Sequence, residues 1–204
     1  MPNSVPEALS ECSPRVVSVF LLDQPDHSPA ATVVLSPSDL RLAGDCELAL
    51  LRSLDVRLGR LAAPEVEDDP MLERVAQLGD EHEQAELRRL VAAHTGPGAV
   101  VTFGRPEYSA PGLRAAHERT LAALADPAVE VVTQATVFDG SFVGHIDFLE
   151  RLADGTWLVS DTKLARSASV PALLQVAAYA DILRSVAVPL APVARLVLGS
   201  GVSE

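Results

Sequence analysis

Cysteine is scarce in this sequence: Cys12 and Cys46 are the only two in 204 residues. Two cysteines build no disulfide framework, so a reducing, cytoplasmic setting is the expectation. No apolar run approaches the ~20 residues that a membrane-spanning helix needs. The opening Met1–Ser10 lacks a basic stretch followed by an apolar one, so no secretory signal is visible. No internal repeat recurs at a period of 20–50 residues, which sets aside solenoids and propellers. Basic charge is also short, with 16 Lys and Arg against 28 Asp and Glu, a net of −12. Phosphate neutralisation drives most nucleic-acid affinity, so this balance weighs against a broad DNA-binding surface. It leaves room for a local basic cluster, for which Arg105, Lys163 and Arg166 are the candidates. What the chain does have is 48% apolar residues, enough for a globular core. Its length suits one domain with or without tails.

Residues 1–32 read as a leader rich in Pro and Ser, holding one apolar run, Arg15–Leu22, suited to a strand. A helix is expected from Ser36–Ser38, with Leu48, Leu51, Leu54 and Leu58 at helical spacing and a stop at Gly59. Ala63–Asp69 is an acidic linker. A second helix follows Pro70, with Leu72, Val75, Leu78 and His82 on one face, and Gly96-Pro97-Gly98 ends it. Ala99–Phe103 reads as a short strand and Gly112–Ala125 as a helix. Then comes a meander: Val129–Phe138, a hairpin at Asp139-Gly140, Ser141–Arg151, a turn at Asp154-Gly155, and Trp157–Leu164. Pro171 opens a helix to about Val186, and Ala194–Leu198 is a last strand. This order predicts an α/β fold, a mixed β-sheet core flanked by α-helices, in one domain over 33–204.

Chemistry concentrates in the meander. Asp161 and Lys163 are two apart on a strand, so both point to one sheet face. A lysine beside a metal-holding carboxylate can position a water and stabilise charge on a phosphate. Asp147 lies on the neighbouring strand, where a second carboxylate can reach the same hard cation, Mg²⁺ or Mn²⁺. Alone, the D-x-K pattern is more often a solvated strand surface. Gln175 and Tyr179 are four apart on a helix and share a face. As a pair, they suit a packed tyrosine as well as a phosphate contact. His82, on an apolar helical face, is by itself more often a core residue than a ligand.

Together, His82 in LGDEHEQAEL, Asp147 in GHIDFL, Asp161 and Lys163 in VSDTKLA, and Gln175 with Tyr179 in LLQVAAYADIL resemble the RecB-like branch of the PD-(D/E)XK nuclease superfamily. The opening LSPSDLRLAGDCELALLRSLDVRLGR is similar to a bacterial subgroup of that branch, and the resemblance runs from Val33 to Leu198. It implies a restriction-endonuclease-like fold and a metal-dependent nuclease hydrolysing DNA phosphodiester bonds in repair or processing. It implies His82, Asp147 and Asp161 as metal ligands, with Asp147, Asp161 and Lys163 as the catalytic set. Gln175 and Tyr179 would line the substrate path, taking single-stranded DNA or DNA ends. Some relatives hold an iron–sulfur cluster with one cysteine before the nuclease core and three after it. Cys46 stands at the early position and no cysteine follows, so a cluster would need cysteines from outside this chain. Relatives often carry a helicase-like module, so a truncated C-terminus or a helicase-like partner is a further expectation. The alternative is a non-catalytic module of the same fold that binds nucleic acid or a partner protein. The acids and lysine favour the enzyme, and the acidic balance favours the module.

Overall fold

The computed structural model describes residues 20–22, 32–64, 69–199 and 201–203. Cys12, residues 15–19 of the expected first strand and residues 65–68 of the acidic linker lie outside them. The elements run β1 (Phe20–Leu22), β2 (Thr32–Val34), α1 (Pro37–Asp45), α2 (Glu47–Arg57), α3 (Pro70–Ala93), β3 (Val100–Thr102) and α4 (Ala110–Ala125). They continue with β4 (Val131–Phe138), β5 (Val143–Arg151), β6 (Trp157–Lys163), α5 (Val170–Ser185), β7 (Leu190–Leu198) and β8 (Gly201–Ser203). β1 and β2 form a small antiparallel pair, and β3 to β8 form one mixed sheet in sequence order.

The sheet is a meander with a parallel neighbour on each side. β4, β5 and β6 are antiparallel, while β3 joins β4 and β7 joins β6 in parallel. Parallel neighbours need long crossovers, and α4 and α5 supply them. Both tight turns have a local cause. Asp139 Oδ1 accepts the backbone N–H groups of Ser141 at 2.8 Å and Phe142 at 2.7 Å, and Gly140 takes a φ of 101° that a side chain would resist. Asp154 repeats the device, accepting from the Thr156 N–H at 2.9 Å and its hydroxyl at 2.6 Å.

One face of the sheet carries the main core, where Val176, Tyr179, Ile182 and Leu183 of α5 pack on Val132, Ile146, Leu149, Trp157 and Val159. On a smaller cluster, Leu90 of α3 meets Val131 and Phe148. The N-terminal helices are tied by a buried acid. Asp39 accepts the Ser36 N–H at 2.8 Å and hydroxyl at 2.6 Å, and pairs with Arg57 of α2 at 3.0 Å. Ser36 thus starts α1, as the sequence suggests. The single helix expected to run on to Gly59 is instead two. Cys46 takes an extended backbone (φ −166°, ψ 109°) and separates α1 from α2, close to Gly44, a weak helix former.

Two further expectations change. The stripe Leu72, Val75 and Leu78 does not enter the core, with Leu72 66% exposed. Only the second half of α3 reaches the sheet, through Glu83, Glu86 and Leu90. The sheet also gains a sixth strand, β8 (Gly201–Ser203), that no periodicity announced.

Candidate active site

The site begins with a break in the pleat. Residues on one face of a regular strand are an even number apart. In the main core, however, β4 contributes Val132, Ala135 and Val137, and β5 contributes Ile146 and Leu149. Each strand therefore switches faces within a three-residue interval. The register does not slip: Thr133 faces Phe148, and Ala135 faces Ile146. Gln134 lies between the paired positions of β4, with a φ of 55° that non-glycine residues rarely adopt. Asp147 lies at the facing position of β5.

A second irregularity meets the first. The β5–β6 ladder runs from Arg151↔Trp157 to Phe148↔Ser160 and stops. The next position would set Asp147 opposite Asp161. There the two strands part, while β6 stays paired to β7 as far as Lys163↔Leu198. The Asp147 carboxylate takes over from the ladder, accepting the Thr162 N–H at 2.9 Å and the Thr162 hydroxyl at 2.8 Å. The parting of the strands leaves two acids side by side near the sheet's middle.

Asp161 is 1% exposed. Its Oδ1 accepts from the Gln175 amide at 2.9 Å, and the Lys163 ammonium contacts Oδ2. The spacing of two thus brings Asp161 and Lys163 together, as the strand period requires. Burial and the neighbouring Asp147 push the Asp161 carboxyl up to about 7, against the pull of Lys163, and Glu83 adds to the rise. Negative charge here is poorly relieved, the condition that a bound cation corrects.

Gln175 also donates to the Tyr179 hydroxyl at 2.8 Å. Tyr179 is 2% exposed, and burial with the nearby Asp161 and Asp147 raises its phenol well above the usual value, so it remains a hydroxyl. The helix pair therefore forms a brace behind Asp161, with Tyr179 inside the core. Gly144, the first residue of GHID, makes this possible. A Cβ there would lie 2.3 Å from Tyr179 Cε1 and 2.6 Å from Cδ1.

His82 lies on α3, and its Nε2 sits 2.9 Å from the Val197 carbonyl oxygen of β7. A carbonyl only accepts, so Nε2 donates to it and Nδ1 is the ring nitrogen left for another partner. A carbonyl holding one ring nitrogen while the other is left basic is a usual setting for metal-binding histidines. Among the described residues, no three His, Cys, Asp or Glu side chains are grouped to hold a metal ion as placed. The structure brings Asp147, Asp161, Lys163, Gln175 and Tyr179 together; His82 is not gathered with the two acids into such a group. Cys46 is free and exposed between α1 and α2.

Sequence reasoning missed four residues. Glu83 is buried, its charge reaches Asp161, and its Oε1 accepts from Gln134 at 2.5 Å. The signal was its place next to His82, turned toward the buried side of α3. Gln134 had no signal, because its backbone is set by both neighbouring strands. His145, inside the GHID motif, and Tyr108, outside every motif, form a pair at 3.0 Å. Burial, then the Arg105 charge, lowers His145 to about 4 despite Asp147, so the ring is neutral at ordinary pH.

Comparison with protein-family models, with curated proteins and with solved structures finds no match. Among the described residues, no helix is long and apolar enough to cross a membrane.

Proposed function

We propose that the chain is a metal-dependent nuclease of the RecB-like type that hydrolyses DNA phosphodiester bonds. The observation that carries this reading is the parting of β5 and β6 at Asp147 and Asp161, with Lys163 at the second acid. Two carboxylates set together in a sheet, one of them buried, cost stability unless they serve a charge. Asp147 and Asp161 would hold Mg²⁺ or Mn²⁺, with His82 Nδ1 as a further donor. The cation, when bound, would supply Lewis acidity toward a phosphate and its attacking water. Lys163 would then lie beside the reacting phosphate, able to orient the water and offset developing charge. Gln175, braced by Tyr179, fixes the Asp161 carboxylate. DNA is the substrate in this reading, repair or processing the setting, and a helicase-like module or subunit a fitting partner for so acidic a chain.

Two observations favour a non-catalytic module of the same fold: Lys163 occupies the free edge of Asp161, and His82 is not grouped with the acids. A cleavage assay separates the two. Labelled single- and double-stranded DNA is incubated with the protein and Mg²⁺ or Mn²⁺, with and without chelator. Chelator-sensitive cleavage supports the enzyme. DNA binding without cleavage under any of these metals overturns it in favour of the module.

A further inference from the structure

The backbone break opposite Asp147 carries a side chain that the chemistry above does not use. Gln134 sits inside β4 at a φ of 55°, a conformation that costs free energy in a residue other than glycine. Such a residue persists where its surroundings over-determine it. Here the surroundings include a carboxylate from another element: the Gln134 amide donates to Glu83 Oε1 at 2.5 Å, joining β4 to α3. Glu83 is 6% exposed and follows His82 on α3. Its charge reaches Asp161, which also feels Asp147. Asp161 of β6 therefore lies within reach of two further acids, one from β5 and one from α3.

The chemistry of an amide at this position is specific. A glutamine donates a hydrogen bond without adding charge, so it orients a carboxylate and does not neutralise it. Burying a carboxylate is costly, and setting it near two others adds repulsion. Among the described residues, no third His, Cys, Asp or Glu is grouped with the acid pair as a ligand. Glu83 thus suits a place one layer further out. Hard divalent cations such as Mg²⁺ keep several of their waters, and a bound cation makes those waters stronger donors. We propose that Gln134 is a positioning residue of the cation site: from its left-handed backbone it holds Glu83 beside the acid pair, where Glu83 would accept hydrogen bonds from the water shell of the bound cation. The inference rests on the reading of Asp147 and Asp161 as metal ligands. It gives one cause to two costly features, the left-handed residue inside a strand and the buried acid beside His82.

Mn²⁺ affinity, measured by calorimetry on the metal-free proteins, tests this without a cleavage step. The proteins are the parent, Glu83→Gln, Gln134→Gly, Gln134→Asn, the double variant Glu83→Gln with Gln134→Gly, and Glu81→Gln, each checked for folding by circular dichroism. Glycine removes the amide and accepts the positive φ. Asparagine also tolerates it, with an amide one methylene short of Glu83. Glu83→Gln and both Gln134 variants should each weaken Mn²⁺ binding about ten-fold, the scale on which outer partners of metal sites act. Glu81→Gln removes an exposed acid from the same helix and should stay within two-fold of the parent. The double variant should bind within two-fold of Glu83→Gln, because Gln134 acts through Glu83. Parent-like affinity in the Gln134 variants overturns the proposal. So does an equal loss in Glu81→Gln, or a double variant whose loss is the product of the two single losses. A parent that binds no Mn²⁺ overturns it together with the metal reading. A parent that shows the expected pattern and never cleaves DNA defeats the nuclease reading alone.

Discussion

Replacing Gly144 by alanine probes how the fold builds its site. The added Cβ would lie 2.3 and 2.6 Å from Tyr179 ring carbons and 3.1 Å from Val137 Cγ2. Carbon atoms in contact rest near 3.5–4.0 Å, so the ring must move by more than 1 Å or β5 must bow. Neither is easy, because Tyr179 is 2% exposed and Val137 is fully buried. Overpacking of this kind costs about 1–3 kcal/mol, and a rigid ring in a buried strand pair belongs at the upper end. Displacing the ring also pulls its hydroxyl from Gln175, and Gln175 is what holds Asp161 Oδ1. Urea unfolding followed by circular dichroism should therefore show a midpoint lowered by about 1 M, given a urea dependence of about 1–3 kcal/mol per M. The stringent form is a double-variant cycle with Tyr179→Leu, which removes the ring the new methyl strikes. Gly144→Ala in that background should cost at least about 1 kcal/mol less than in the parent, as contacting residues couple. Strictly additive effects would refute the claim that glycine is needed here to admit the tyrosine.

Other outcomes follow from the same geometry. Asp147→Ala should cost about 1–3 kcal/mol even without metal, because it strips the Thr162 N–H and hydroxyl of their acceptor; denaturant unfolding of the metal-free protein measures it. Asp161 has its folded-state carboxyl raised from 3.8 to about 7. The stability it contributes is therefore complete below about pH 4 and lost as pH rises through 7. Asp161→Asn should flatten that loss, so the metal-free variant exceeds the parent at pH 8 and matches it near pH 4; parallel melts at the two values decide it. His145 is lowered to about 4, so its ring should titrate near there by NMR, and a midpoint near 6.5 would contradict its burial. Its contribution is present above pH 6.5 and lost as pH falls toward 4. Asp39→Ala should lower stability by about 2–3 kcal/mol, since it frees Arg57 and uncaps α1 at once.

The sequence made some parts of this molecule legible and hid others for physical reasons. Asp-Gly pairs act within four residues, so both meander turns could be read directly. The placement of Asp161 with Lys163, and of Gln175 with Tyr179, follows from strand and helix periods alone. The pleat breaks at Gln134 and Asp147 could not be read, because they balance two strands against each other and no local pattern encodes them. The stripe Leu72, Val75 and Leu78 misled in the opposite direction. Helical periodicity says which residues share a face, not whether that end of the helix reaches the sheet. Glu83 was hard to read because a glutamate in a charged helix is ordinarily solvated, and only the packing of α3 buries it. The burial of Asp161 also favours asparagine over alanine as its replacement. Asparagine keeps an acceptor for Gln175, where alanine would leave a gap in a closed site.

The central claim is that Asp147, Asp161 and Lys163 form one metal-activated hydrolytic centre. Single-turnover cleavage of labelled single-stranded DNA in saturating Mn²⁺ tests it, with Mn²⁺ affinity from calorimetry on the same preparations of parent, Asp161→Asn and Lys163→Ala. Asp161→Asn should lose both tight Mn²⁺ binding and cleavage. Lys163→Ala should keep Mn²⁺ binding but cut at least about 100-fold more slowly, a loss of transition-state stabilisation alone. An Asp161→Asn protein that binds Mn²⁺ and cuts DNA as the parent does would contradict it.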